Sequence, residues 1–311
     1  MPTIIDCDPG IDDAIALAMA LAGNELDVRA ITTSYGNVSV SQTTTNAIRV
    51  LDWLGSDLPV HAGASRSLLG PAIDAAVYHG ATGLEAPDLG KPSRLPDSTA
   101  AIRFLIDALS SGGDKITIVA LGPLTNIALA LRIEPSIADG IERIVIMGGS
   151  TDYGNDSPAA EFNFLADPHA AQIVLDSGLP ISLFGLNVTH RLIATPERLG
   201  RLRAIGTSTS RITADMIAYF EAVYVQRYGF AGAALHDPCT IAYLLEPSMF
   251  DMRPMRVDVD TSSGLSLGRA VYDVWGIAGA APNAEVAVDV DPEAFFDLLD
   301  ARIAAYPSRS S

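Results

Sequence analysis

Four carboxylates crowd into eight residues near the start of the chain: Asp6, Asp8, Asp12 and Asp13, in the run Thr3-Ile4-Ile5-Asp6-Cys7-Asp8-Pro9-Gly10-Ile11-Asp12-Asp13. Like charges that close raise one another's pKa unless a cation neutralises them. A hard, oxygen-seeking metal, Ca²⁺ or Mg²⁺, suits such a cluster. Asp12 and Asp13 have a plainer explanation, because the first turn of a helix favours negative charge. That explanation does not reach Asp6 and Asp8. Far downstream stands His236-Asp237-Pro238, which by itself reads as a helix N-cap followed by a first-turn proline. Between the two lies Glu161-Phe162-Asn163-Phe164, where polar and aromatic residues alternate. At a period of two, Glu161 and Asn163 would face one way and the phenylalanines the other, and such a polar pair can grip vicinal hydroxyls.

The elements that must position these groups follow from the pattern around them. Residues 3–6 read as a short buried strand and 14–22, rich in Ala and Leu, as a helix, with Pro9-Gly10 forcing the turn between them. The cluster therefore sits at a strand C-terminus, where open α/β sheets bind ligands. A strand at 28–34, a helix at 41–54 and a strand at 59–62 continue a β-α-β-α-β alternation, the mark of a parallel sheet with crossover helices. Asn37, in the turn after the second strand, would face the same side as Asp8, although a turn Asn is also a common structural device. Residues 63–97 lack periodicity, and a loop that long inside a compact domain is usually functional or mobile; it carries His79.

Further along, a helix at 98–109 precedes a strand at 115–121, and Gly122-Pro123 follows it. That junction leaves strand-end carbonyls unpaired, and a backbone carbonyl is a common Ca²⁺ ligand. A strand at 141–147 and a helix at 169–176, capped by Asp167-Pro168, come next, then a strand at 181–185 and helices at 196–203 and 207–228. Tyr219, Tyr224 and Tyr228 lie on the last of these, at a spacing that suits helix packing as well as a ring clamp. A helix at 240–245, strands at 255–260, 268–275 and 285–290 and a final helix at 292–305 complete the chain, and this tail carries no chemically legible motif. Without a repeat or linker, residues 1–311 read as a single α/β domain with an open, mostly parallel, Rossmann-like sheet flanked by helices and an active site at the strand C-terminal ends.

Composition sets outer bounds. The chain has 311 residues, 49% of them hydrophobic and 18% charged, which describes a globular protein with a large core. Twenty basic against 37 acidic residues give a net charge of −17. Such a surface repels nucleic acid and anionic membranes but not a neutral small molecule. No apolar run approaches the ~18–20 residues of a membrane span, and a strand beginning at once leaves no room for a signal peptide. Two cysteines, Cys7 and Cys239, are too few for a disulfide framework and read as buried thiols. A cytoplasmic enzyme is the expectation.

The motif Asp6-x-Asp8-Pro9-Gly10-x-Asp12-Asp13-Ala14 resembles the N-terminal signature of the nucleoside hydrolases of the inosine-uridine preferring type, which cleave the N-glycosidic bond of ribonucleosides. His79-Gly80-x-x-Gly83-Leu84, the stretch Met147-Gly148-Gly149…Asn155…Glu161-Phe162-Asn163 and His236-Asp237-Pro238 are similar to further segments of that family, in its order, over positions 3 to 239. The resemblance implies a Ca²⁺ held by Asp8, Asp13, Asp237 and the Leu121 carbonyl, with Asp8 as general base toward an attacking water. It implies that Asp12 bonds the ribose 2′-hydroxyl, Asn163 the 3′-hydroxyl, and Asn155 and Glu161 the 5′-hydroxyl, with Met147 in the same segment. On the base side it implies the catalytic acid His236, with Tyr224 and Tyr228 as further candidates, and it puts His79 in a loop near the active site; Asn37, read from its turn alone, is a further substrate-binding candidate. A His before the distal Asp looks like the non-specific and pyrimidine-preferring members. The family commonly forms homo-dimers or tetramers.

Two rivals come from other classes. Asp-x-Asp after a first strand also resembles Mg²⁺-dependent phosphotransferases that form an aspartyl-phosphate, but those typically carry Thr or Val where this chain has Gly10, and they need a phosphate-gripping lysine. The chain's lysines are Lys91 and Lys115. A non-catalytic Ca²⁺-dependent sugar or nucleoside binder would need the metal and the hydroxyl grips but no His236.

Overall fold

The computed structural model describes residues 1–70, 72–84 and 86–307. In chain order the strands are β1 (Pro2–Cys7), β2 (Asp27–Thr33), β3 (Val60–Ala62), β4 (Ile116–Ala120), β5 (Ile141–Met147), β6 (Ile181–Phe184), β7 (Ile193–Ala194), β8 (Ala233–Ala234), β9 (Phe250–Met255), β10 (Val257–Val259), β11 (Ala270–Tyr272) and β12 (Ala284–Val290). Eight of them form one sheet in the order β3-β2-β1-β4-β5-β6-β12-β9. Every neighbouring pair in it is parallel except β12 with β9. The mostly parallel α/β architecture expected from the alternation is the one observed.

Side-chain alternation explains why the strands read as near-continuous apolar runs. Ile5, Val119 and Val145 enter the core on one face of the sheet, while Ile4, Ile118, Ile144 and Ile146 enter the core on the other. A strand covered by helices on both sides has no face left for water. Each fully buried Ile or Val contributes ~1.5–3 kcal/mol, so this double coverage makes the strand ends a rigid platform.

From β1 the chain winds outward to β2 and β3, then returns to lay β4 on β1's other edge and proceeds to β5 and β6. The switch point of the order therefore falls between β1 and β4. The loops leaving their C-terminal ends diverge there and open a crevice. Asp8 follows β1, and Leu121 follows β4.

Most local expectations hold with shifts of a few residues, and among the differences in kind are the short helix Leu186–Thr189, the paired strands β7 and β8 and the following. The loop at 63–97 contains a short helix, Ala76–His79. β9 was not expected, and it is the antiparallel strand that closes the sheet's edge. Residues 162–166 form a helix rather than the period-two strand read from the alternation. The reason is local: the Glu161 carboxylate accepts the Asn163 and Phe164 amides and caps that helix.

Candidate active site

Asp8 forms the floor of the crevice and is held from several sides. The Asn37 amide N–H donates to its Oδ2 at 2.6 Å, and the Asn37 side-chain Nδ2 donates to the Asp8 carbonyl at 3.0 Å and to Asp13 Oδ2 at 3.1 Å. Asp13 in turn accepts the Asp8 amide at 3.2 Å and the Gly10 amide at 2.8 Å. Asn37 lines the crevice, but its amide is engaged in folding the aspartate loop. A Cβ on Gly36 or Gly122 would overlap the Asp8 carboxylate, so only glycine admits Asp8 between these two loops.

Asp6 behaves as a structural residue. It accepts Thr32 Oγ1 at 2.5 Å and Asn126 Nδ2 at 2.8 Å, and Asn126 also donates to the Thr33 carbonyl. Asn126 thereby ties the ends of β1 and β2 together. Asp167 caps the helix Pro168–Leu175 through the Ala170 amide and accepts Thr125 Oγ1.

Asp237 stands at the start of the helix Pro238–Leu245, yet its side chain makes no capping bond. The helix lies against the helix Ile11–Leu21, and the carboxylate is aimed at the N-terminal cluster. Carboxylate oxygens of Asp12, Asp13 and Asp237 come within 4.8 Å of one another. Asp8, Asp12, Asp13 and Asp237 are all buried, and among the described residues no Lys or Arg lines the crevice. Burial, reinforced by the neighbouring carboxylates, pushes Asp8 and Asp237 well above the usual carboxylate range and Asp12 up to about 8; burial alone lifts Asp13 to about 6. Four buried acids without a counter-charge are an electrostatic deficit that a divalent cation would offset. The donor set, all oxygen, fits a hard ion. The Leu121 carbonyl faces the crevice as well, where it accepts Asn163 Nδ2 at 2.8 Å.

The opposite wall carries the hydroxyl-binding candidates. Asn163 Nδ2 also donates to the Met147 carbonyl at 3.1 Å. Glu161 accepts three amides, from Gly149, Asn163 and Phe164, which leaves one of its roughly four acceptor positions for a ligand. Burial raises the Glu161 carboxyl to about 7. Asn155 reaches the crevice through the same segment, its Oδ1 accepting the Phe162 amide at 2.9 Å.

The third wall is aromatic. His79 Nδ1 accepts the Ile11 amide at 3.2 Å, so its ring proton sits on Nε2. Burial lowers this imidazole to about 3, which keeps it neutral. His236 has both nitrogens engaged: Nδ1 is 2.7 Å from Thr189 Oγ1 and Nε2 is 2.5 Å from Tyr224 Oη. Burial, with His190 and His79 nearby, holds it well below its ordinary pKa. Tyr224 therefore stands hydrogen-bonded to His236 at the crevice surface. Tyr228 does not line the crevice; its hydroxyl bonds Tyr78 Oη at 2.6 Å and it supports that ring from behind.

Four lining residues escaped the sequence reading: Ala75, Tyr78, Phe162 and Phe220. Phe220 lies one helical turn before Tyr224, and the i, i+4 rule identifies it once Tyr224 is chosen. Tyr78 adjoins His79. Thr189, which orients His236 across 47 residues, leaves no local signal. Lys91 and Lys115, needed by the phosphotransferase alternative, are both exposed and away from the crevice.

Residues 3–297 match the inosine-uridine preferring nucleoside hydrolase family. The chain is 44% identical over 310 residues to the pyrimidine-specific ribonucleoside hydrolase RihA of Citrobacter koseri, covering 99% of each chain. Among solved structures it resembles a purine-preferring ribonucleoside hydrolase from Gardnerella vaginalis, with a TM-score of 0.90, 32% identity and 98% of each chain covered. A plant nucleoside hydrolase superposes with a TM-score of 0.91 at 36% identity, over 97% of this chain and 98% of that one. The chain belongs to the inosine-uridine preferring nucleoside hydrolase family and is a ribonucleoside-hydrolysing glycosidase.

Proposed function

We propose that this enzyme hydrolyses pyrimidine ribonucleosides, uridine and cytidine, faster than inosine, with Ca²⁺ as its resident ion. The observation that carries the metal is the buried, uncompensated set of Asp8, Asp12, Asp13 and Asp237. Asp8, Asp13, Asp237 and the Leu121 carbonyl would hold the ion. When bound, the ion supplies the positive charge that acidifies the attacking water. The pyrimidine preference has support from His236 and from the 44% identical pyrimidine-specific relatives.

The residues divide the reaction between two sides of the sugar. Asp8 takes one proton from the water whose oxygen bonds to the anomeric carbon. The C–N bond breaks on the other side, and the electron pair stays with the base. Tyr224 passes a proton to that base, the His236 Nε2–H donates a hydrogen bond that stabilises the phenolate left behind, and the phenolate regains its proton from solvent as the products leave. Thr189 Oγ1, donating to Nδ1, keeps the His236 proton on Nε2. Asp12 and Asn163 hold the 2′- and 3′-hydroxyls, and Asn155 and Glu161 the 5′-hydroxyl.

Free ribose released from uridine, cytidine, inosine and 2′-deoxyuridine, with and without a chelator, tests the reading. Uridine and cytidine should lead, the deoxy sugar should fail for want of a partner for Asp12, and chelation should stop all turnover. The same chelation should lower the melting temperature, since an ion at a hundredfold excess over its Kd stabilises by about 2.7 kcal/mol. Turnover and melting that both ignore the chelator would sink the metal assignment. Asp12→Ala and Asn163→Ala are each expected to raise KM and lower kcat together, because these side chains hold the ribose in ground and transition states alike; an unchanged KM would place them elsewhere.

A cytoplasmic location suits Cys7 and Cys239, which are buried free thiols. None of the described helices is long and apolar enough to cross a membrane. With a net charge of −17, the partners we propose are the small neutral substrate and further copies of the chain, a dimer or tetramer, with no role for nucleic acid or membrane.

A further inference from the structure

Two of the three amides that Glu161 accepts belong to the helix it caps, Phe162–Ala166, and any N-cap carboxylate there would take them. The third comes from outside that helix. The Gly149 amide donates to Glu161 Oε2 at 2.9 Å, and Oε2 also accepts the Phe164 amide. Only the Asn163 amide reaches Oε1, so the spare acceptor position is on Oε1. The Gly149 bond therefore decides how the carboxylate is turned toward the crevice that Glu161 lines.

Gly149 has little of its own to hold it in place. It has no side chain, its φ of +69° lies in the left-handed region, and Gly148 adds a second flexible link. Its carbonyl accepts the Leu186 amide at 2.9 Å, which fixes one edge of the peptide. Packing supplies the rest, from two sides. A Cβ added to Gly148 would lie 2.5 Å from the Phe164 ring, and one added to Gly149 would lie 2.6 Å from Tyr272 Oη. The two-glycine turn is thus clamped between a ring of the capped helix and a hydroxyl that arrives from β11.

That hydroxyl has a firm mount. β10 and β11 pair antiparallel with Val257 opposite Tyr272. Asn283 ties the base of this hairpin, accepting the Val257 amide and donating to the Leu175 and Val257 carbonyls. Tyr272 Oη is buried and has no hydrogen-bond partner among the described residues. Burial, with the Glu161 carboxylate nearby, pushes its ionisation well up, so it keeps its proton. A buried hydroxyl without a partner costs free energy that a phenylalanine would not. What the hydroxyl gains is contact, since it is the atom that reaches Gly149.

We propose that Tyr272 is a positioning residue for recognition of the sugar's 5′-hydroxyl, acting through Gly149 to keep Glu161 Oε1 turned toward the substrate. The proposal rests on the placement of Glu161 and Asn155 at the 5′-hydroxyl given above. Measuring kcat/KM for uridine and for 5′-deoxyuridine, in the native enzyme and in Tyr272→Phe, tests both. The native enzyme should prefer uridine. Tyr272→Phe removes the one atom that backs Gly149, and its kcat/KM for uridine should fall by ~3–10-fold, the worth of one neutral hydrogen bond. Its kcat/KM for 5′-deoxyuridine, which offers Glu161 no hydroxyl, should stay native and shows that the variant is folded. A native enzyme that treats the two substrates alike overturns the 5′-hydroxyl placement and the role of Tyr272 together. A native preference for uridine that Tyr272→Phe retains in full overturns the role of Tyr272 alone. An equal loss on both substrates does the same, because it would make the side chain a matter of packing only.

Discussion

Replacing His236 by Ala is expected to slow hydrolysis of uridine by ~10²–10⁴-fold, the contribution of a positioned acid. A pyrimidine anion is a poor leaving group unless the ring is protonated or hydrogen-bonded as the bond breaks. A nitrophenyl riboside has no such need, because nitrophenolate leaves readily as an anion. The variant should therefore keep most of its rate on that substrate. Tyr224→Phe should show the same split, since Tyr224 Oη lies 2.5 Å from His236 Nε2 and both act on one proton. The double variant should lose little more than either single one, as groups that act as a unit are not additive. Equal losses on both substrates would mean that His236 supports the packing of the aromatic wall rather than the leaving group. If Tyr224→Phe alone were harmless, His236 would have to reach the base directly and release its present partner.

Asp8→Asn is the second large effect. We expect kcat to fall by ~10²–10⁴-fold with KM near the native value, because the amide can still accept the Asn37 N–H and occupy the same space but cannot take a proton from water. The crowding of Gly36 and Gly122 around this carboxylate allows an isosteric replacement and little else. A melting temperature that still rises with added Ca²⁺ in the variant would separate loss of the base from loss of the ion. Near-native turnover would remove Asp8 as the base.

How much of this was legible in advance depended on the range of the interaction involved. The strand Pro2–Cys7, the turn at Pro9-Gly10 and the acidic first turn of the helix Ile11–Leu21 are local, and their residues state them directly. The apolar strands alternating with helices also determine the parallel sheet, since only a strand covered on both faces is written with so few polar residues. The position of the site follows from that topology: a cluster just past β1 falls at the switch point of the order.

Tertiary structure decided what local rules leave ambiguous. Asp237-Pro238 is a normal helix start by sequence, and only the packing of its helix against Ile11–Leu21 turns the carboxylate from a cap into the fourth acid of the cluster. Glu161 and Asn163 both line the crevice, but not through the alternation that singled them out. The alternation read as a strand is overridden because Glu161, buried with three amides to satisfy, caps a helix instead. His236 carries no sign in its own neighbourhood of Thr189 or Tyr224, whose hydrogen bonds fix both its nitrogens. The chain thus determines which residue types are available and which strand ends they occupy, because those depend on contacts a few residues apart. Which atom faces which, and whether a charge is capped, paired or left for a cation, is decided only when segments distant in sequence are buried together and each polar group must find its partner.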